Sequence, residues 1–230
     1  MSLTSYRAAP PREPEEPKIC PTSVSHASRN YNHREFAIIS CVKLPGLRMI
    51  NRTVIAKKTG NIRRCRPDEL EEICGIINDA ALVYKGVIPD DRWREPYMPM
   101  AELKAEVAAG VSFWGLEERN KLAGVMGVQS IQDVVLIRHA YVRTAFRNRG
   151  IGSDLLRRLH SLAPGPVLVG TWAAATWAIA FYEKHGFRKV IPAEKERLLK
   201  KYWTVPDRQI ETSVVLADHK WFQTAQSEMR

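Results

Sequence analysis

Cysteine is scarce in this chain, and long hydrophobic runs are missing. The four cysteines are Cys20, Cys41, Cys65 and Cys74. They show no C-x-x-C spacing and no clustered histidines, which excludes a zinc-finger type of metal site and a disulfide framework. No apolar stretch approaches the roughly 20 residues that a membrane helix needs, and residues 36–42 are too short and too late for a signal peptide. We therefore expect free thiols, no metal, no membrane segment and a reducing, cytoplasmic location.

The positive charge is concentrated at the start of the chain. Residues 1–60 hold ten Lys/Arg and four Asp/Glu, so they carry more than half of the net charge of +10. They also include a proline-rich stretch, residues 10–17, and sequence rich in Ser, His and Asn. We expect a disordered, basic extension over 1–60, a folded domain over 61–218 and a C-terminal tail over 219–230. Because the rest of the chain is only weakly basic, nucleic acid is not the expected partner.

A glycine-containing turn, residues 147–152, is the first functional signal. It follows a strand-like run, Val134–Val142, and precedes an amphipathic helix over 152–163. Glycines let backbone N–H groups approach an anion, and a helix N-terminus adds unpaired donors and partial positive charge. A turn rich in Arg and Gly is by itself more often only solvated. Here a second strand over 167–171 and a second helix, Thr176–Lys184, complete a β-turn-α-β-α unit, which is the context of a phosphate site.

Two motifs in this unit resemble those of a known family. Arg147-x-x-Gly150-x-Gly152 is similar to the R/Q-x-x-G-x-G/A acetyl-CoA loop of the GNAT N-acetyltransferase superfamily. Residues 178–187 resemble its second signature, A-x-x-F-Y-x-x-x-G-F. The resemblance covers roughly residues 62–218. Two departures are Ala175, where members often carry Asn, and Thr144, where the strand before the loop often ends in Pro; neither removes the diphosphate site.

The resemblance implies an α/β fold with a mixed, twisted central sheet that is split between its middle strands and flanked by helices. Acetyl-CoA, as co-substrate, would lie in the split with its diphosphate on the glycine loop. The residues that the resemblance assigns to cofactor binding are Tyr141, Val142, Arg147, Asn148, Arg149, Gly150, Ile151, Gly152, Ser153, Ala178 and Phe181. Among them, the backbone N–H of Val142 is expected to polarise the acetyl carbonyl at a bulge of the strand.

Acetyl transfer to an amine needs a base for the amine and a proton for the departing thiolate. A lysine-type amine has a pKa of about 10.4 and is mostly cationic near neutrality. Tyr182 is the candidate donor, because a Tyr at this motif position of the family often points at the CoA sulfur; its alternative is packing beside Phe181. His139 is the candidate base, although a lone His on a half-buried strand is more often structural. The other candidates for the base are Glu95, another acid on the same loop as Glu95, and a water chain.

The acceptor site is less defined by the sequence. Trp93, Glu95 and Tyr97 could form an aromatic, acidic pocket for a cationic amine, or could anchor their loop on the core. We predict an N-acetyltransferase that transfers the acetyl group directly, in a sequential reaction, to a small-molecule or peptide amine. The alternatives are a non-catalytic acetyl-CoA sensor and a nucleic-acid-associated protein that uses the basic extension. A homodimer is left open.

Overall fold

Seven strands of the described residues form one mixed sheet. The computed structural model describes residues 60–203 and 205–228, so nearly all of the predicted extension over 1–60 lies outside the described residues. The strands are β1 (Asn61–Arg64), β2 (Ser112–Glu118), β3 (Lys121–Ile131), β4 (Val134–Val142), β5 (Val167–Trp172), β6 (Arg188–Lys189) and β7 (Ser213–Ala217). Their order across the sheet is β1-β2-β3-β4-β5-β7-β6. Strands β4 and β5 are parallel, and the other neighbours are antiparallel.

The sheet is split between its two parallel strands. Strands β4 and β5 pair at three positions, the last of which joins Ile137 to Val169. Beyond this pair β4 continues to Val142 and β5 continues to Trp172 without pairing to each other. The predicted fold class, an α/β fold with a mixed, split sheet flanked by helices, is confirmed.

Seven helices accompany the sheet in the described ranges. They are α1 (Leu70–Ala81), α2 (Met100–Ala108), α3 (Ile151–Leu162), α4 (Thr176–Lys184), α5 (Pro192–Tyr202), α6 (Asp207–Glu211) and α7 (His219–Glu228). None of these helices has the length and hydropathy to cross a membrane. The sequence pattern of α1 determines which side of the helix is buried. Its apolar residues recur at helical spacing, and these residues form the buried side.

Alternating side chains on the central strands place helices on both faces of the sheet. Ile137 and Met126 pack in a cluster with α3 and α4. Leu136 packs in a second cluster with α5 and α7, and Val125 packs in a third with α1 and α2. Because successive side chains of a strand point to opposite faces, the first cluster defines the α3/α4 face, and the other two share the opposite, α1/α5 face.

A buried carboxylate fastens the first strand to the first helix. The Glu69 side chain, 7% exposed, accepts hydrogen bonds from the Arg63 guanidinium at 2.7 and 2.9 Å and from the Arg66 backbone N–H at 2.6 Å. These bonds, with Arg63 first, lower the pKa of Glu69 to about 2. The charged carboxylate is therefore part of the folded state.

Two segments near the C-terminus differ from the simplest interpretation of the sequence. Residues 209–217 alternate like one strand, but β7 begins only at Ser213 because Pro206 and Asp207 start the short helix α6. Helix α7 lies in the segment predicted as a tail. Asp218 caps it by accepting a hydrogen bond from the Trp221 N–H at 3.2 Å, and the Trp221 side chain is buried.

Candidate active site

A cavity of ≈720 Å³ lies where β4 and β5 separate. Its wall includes Ile151, Phe181 and Tyr182 from the α3/α4 face, and Tyr97 and Trp203 from the α1/α5 face. Because side chains from both faces line one cavity, the cavity passes through the gap in the sheet. Two molecules entering from opposite faces can meet inside such a passage.

Residues of the glycine turn and the start of α3 line this cavity. Gly150 has φ 84°, a left-handed conformation that suits glycine, and α3 begins directly after it. The first intrahelical bond runs from the Asp154 N–H to the Gly150 carbonyl. The N–H groups of residues 151–153 therefore have no acceptor within the helix, and these residues line the cavity.

The two arginines of this turn have different roles in the structure. Arg147 lines the cavity and is anchored by its Nη2, which donates to the Ala80 carbonyl at 2.9 Å. Arg149 is exposed, lies over the Phe146 ring and has its Nη1 at 3.9 Å from Glu118 Oε2. Asn148 and Ser153 line the cavity, whereas Arg149 is not brought to its wall.

A β-bulge in β4 turns two neighbouring side chains towards one carboxylate. Arg138 pairs with Gly127 and Tyr141 pairs with Val125, so one residue of β3 faces both His139 and Ala140. His139 has φ 49° at this point. Both side chains then reach Glu106 of α2 on the α1/α5 face: Arg138 Nη2 lies 2.8 Å from its Oε1, and His139 Nε2 lies 3.3 Å from its Oε2.

The Glu106 cluster is tightly enclosed. The approach of His139 to Glu106 lacks hydrogen-bond alignment, and the two facing atoms are buried without another partner, so the contact is electrostatic. Burial opposes the ionisation of Glu106, but His139 and Arg138 outweigh it and hold the pKa of Glu106 below its ordinary value. The His139 ring also stacks on Phe113 at 5.9 Å and lines the cavity.

The backbone of Val142 faces the split. The Arg143 N–H donates to the Ala123 carbonyl of β3 at 3.0 Å. In an antiparallel pair adjacent N–H groups point to opposite sides of the strand. The Val142 N–H is therefore directed away from β3, towards the gap before β5. The bulge itself lies at His139 and Ala140, slightly earlier in β4 than expected from the sequence.

Tyr182 closes the cavity on the α3/α4 face. Its side chain packs against Phe181 and Phe187 with ring centroids 5.1 and 5.8 Å apart, and the residue is 5% exposed. Burial raises the pKa of the Tyr182 phenol well above its ordinary value. The hydroxyl therefore keeps its proton in the neutral and mildly alkaline range, as a proton donor must. Ala178 lines the same part of the wall.

Residues 109–189 match the family model of the acetyltransferase (GNAT) domain. Within this range the chain is similar to the GNAT acetyltransferase domain, whose general activity is acetyl transfer. The matched range contains the glycine turn, the bulged strand and Tyr182. The predicted family resemblance is confirmed over these residues. A comparison with curated protein sequences finds no match.

Solved structures share the fold at low sequence identity. The PaiA N-acetyltransferase from Thermoplasma acidophilum, in complex with coenzyme A, is 16% identical with a TM-score of 0.53, covering 69% of this chain and 97% of that chain. A GNAT-family acetyltransferase from Staphylococcus aureus is 17% identical with a TM-score of 0.52, covering 69% and 97%. An acetyltransferase from Streptococcus agalactiae is 18% identical with a TM-score of 0.53, covering 70% and 98%. At these identities the likeness establishes the fold.

The loop between α1 and α2 supplies only one of the three expected acceptor residues to the cavity wall. Tyr97 lines the cavity, and its hydroxyl accepts from Trp172 Nε1 at 3.3 Å. Trp93 packs against the Tyr97 ring at 5.6 Å and stays outside the lining. Glu95 is 60% exposed and bonded to Lys85 Nζ at 2.6 Å, an interaction that lowers the pKa of Glu95.

The structure adds wall residues that the motifs do not indicate. They are Tyr84, Arg138, Thr171, Trp172, Trp177, Trp203, Gln209 and Ser213. Most come from segments outside the two motifs and reach the cavity through packing of the α1–α2 loop and of the segment around α6. The aromatic content of the loop was one sequence signal for this part of the wall.

Proposed function

We propose that this domain is an acetyl-CoA-dependent N-acetyltransferase that transfers the acetyl group directly to a primary amine. The observation that carries the proposal is the passage through the split sheet. It has backbone donors for an anion at one end, and it brings the Val142 N–H, Tyr182 and His139 to one continuous space. A sequential reaction needs such a space, because both substrates must be bound together.

The cofactor would enter from the α3/α4 face. The N–H groups at the start of α3 and the side chain of Arg147 would hold its diphosphate. Phe181 and Ala178 of α4 would line its arm, and Tyr141 and Val142 would border the thioester. Gly152 lies beside Phe181 in this wall, and an added Cβ would be 3.5 Å from the Phe181 ring, at ordinary contact distance.

Three groups of the domain would then carry the chemistry. The Val142 N–H would donate to the acetyl carbonyl oxygen as negative charge develops on it. His139 would accept a proton from the attacking ammonium, so that the free amine forms the new C–N bond. The C–S bond breaks, and the Tyr182 hydroxyl would protonate the departing thiolate. No covalent enzyme intermediate is required.

The experiment measures acetyl-CoA binding by calorimetry and free thiol release over a panel of amines. We expect saturable binding and amine-dependent thiol release. Gly150→Glu should abolish binding, because its side chain blocks the loop and its charge repels the diphosphate. Gly186→Glu is the matched control, since Gly186 has φ 86°, open space around it and no place in the cavity wall. Binding without thiol release from any amine would favour a non-catalytic sensor.

A further inference from the structure

The cavity wall carries no acidic side chain among the described residues. Its ionisable groups, apart from tyrosines, are Arg138, His139, Arg147 and Lys184. Glu106 lies behind Arg138 and His139, which engage one oxygen each, so its charge is already compensated. A polycationic acceptor would therefore bring its additional charges into a wall with no carboxylate to pair with them, at a desolvation cost.

Aromatic rings form much of the wall on the α1/α5 face. The Tyr84 ring lies 5.9 Å from the Tyr97 ring in a stacked arrangement. The hydrogen bond from Trp172 to Tyr97 fixes an indole beside them. These contacts hold the rings in place before any ligand binds, which reduces the entropy lost on binding.

A second ring closes the same face from the other side of the gap. Trp203 lies over Gly170 of β5, with its indole atoms 3.6–3.7 Å from the position of an added Cβ. A flat ligand can lie between these rings, because aromatic faces stack on planar groups with offset geometry.

We infer that the acceptor is a small monoamine with an aromatic body, an inference that rests on the proposed function. The aromatic group occupies the ring-lined part of the α1/α5 face, and the amine extends towards His139 and the Val142 N–H in the gap. A cavity of ≈720 Å³ that must also admit the end of the cofactor arm leaves space for about one ring system. Polyamines and lysine-rich peptides fit neither the charge nor the shape of this wall.

Thiol release at saturating acetyl-CoA tests the inference with phenethylamine, tryptamine, ethylamine, spermidine and a lysine-containing peptide. We expect kcat/KM for phenethylamine to exceed that for ethylamine by about 10–100-fold, because a buried phenyl group contributes that much. Spermidine and the peptide should remain below phenethylamine. A higher kcat/KM for spermidine or the peptide would overturn the inference while leaving the N-acetyltransferase proposal intact.

The variant Trp172→Ala gives a matched comparison within one protein. It should reduce the preference for phenethylamine over ethylamine, measured as the ratio of the two kcat/KM values, by about tenfold. An equal loss for both amines would count against a recognition role for the ring wall.

Calorimetric titration of the CoA-loaded protein with phenethylamine and spermidine separates the two proposals. Preferential binding of phenethylamine with no turnover of any amine would support the ring wall and reject catalysis; preferential binding of spermidine would reject the ring wall.

Discussion

At the scale of the residue, we propose that Tyr182 protonates the departing thiolate. Tyr182→Phe removes one hydroxyl and keeps a ring that packs against Phe181 and Phe187. We expect kcat to fall by about 10²–10⁴-fold, the usual range for general acid catalysis, with little change in the Kd of acetyl-CoA. Steady-state kinetics and calorimetry measure the two quantities.

A second buried tyrosine supplies the control for this substitution. Tyr202 donates its hydroxyl to Asp133 Oδ1 at 2.7 Å and lies outside the cavity wall. Tyr202→Phe should leave kcat close to wild type. Wild-type turnover of the Tyr182→Phe protein would make Tyr182 a packing residue, with another group supplying the proton.

Glu106 is the residue that we expect to position His139. Glu106→Gln keeps the size of the side chain and removes its negative charge. When His139 accepts the proton of the amine it becomes positively charged, and in the variant no carboxylate stabilises that charge. We expect kcat to fall by about tenfold or more with little change in the KM of the amine. Gln129→Leu is the control, because Gln129 accepts a hydrogen bond from Arg138 at 2.9 Å and forms no hydrogen bond with His139 among the described residues. Equal kcat losses in both variants would show that the cluster acts only through stability.

At the scale of the element, the Glu69 carboxylate joins β1 to α1. Its pKa is lowered to about 2, chiefly by the hydrogen bonds from Arg63. A lowered pKa means that the stabilisation is fully present above about pH 4.5 and is lost as pH falls from there towards 2. Glu69→Gln should reduce the free energy of unfolding at pH 7 by about 1–3 kcal/mol.

Urea unfolding at pH 7 and pH 3 tests whether the stabilisation by Glu69 decreases as the pH falls. The difference between wild type and Glu69→Gln should be smaller at pH 3, where part of the wild-type carboxylate is protonated on unfolding. Asp68→Asn is the neighbouring control, since the Asp68 side chain is 76% exposed, and its effect should stay within about 0.5 kcal/mol. A difference in unfolding free energy between wild type and Glu69→Gln that is larger at pH 3 than at pH 7 would contradict the lowered pKa of Glu69.

At the scale of the whole molecule, the described hydrophobic clusters are built from residues 62–222. Removal of residues 1–48 deletes none of these side chains. We therefore expect the shortened chain to keep the Tm within a few degrees of the full chain and to keep its Kd for acetyl-CoA. Thermal unfolding and calorimetry test this, and a large drop in Tm would move the proposed domain boundary towards the N-terminus.

The cavity itself is also a property of the whole molecule. It exists because β4 and β5 separate after Ile137 and Val169, while helices cover both faces of the sheet. The two motifs contribute only its α3/α4 side. The opposite side is assembled from the α1–α2 loop, β4, β5 and the segment near α6, and that side would select the acceptor.

Local features of this protein could be predicted because they depend on near neighbours. The glycine turn, the helix after it and the stripe of α1 follow from short-range rules of backbone conformation and helical spacing. The two motifs identified the family, which in turn implied the split sheet. Helix α6 was missed because residues 209–217 alternate like a strand, although Pro206 and Asp207 favour a helix start.

Other features were decided only by the tertiary structure. The bulge in β4 depends on its register with β3, and it alone brings Arg138 and His139 to Glu106, which lies more than thirty residues earlier. Tyr97 and Trp172 are 75 residues apart and meet in one wall of the cavity, whereas Glu95, only two positions from Tyr97, turns outward to Lys85. The sequence by itself thus determined the family and the end of the site that would bind the cofactor, because those depend on local backbone geometry. The acceptor side was determined by packing, because its side chains come from distant segments whose orientation is set by strand register and by the helices that cover the sheet.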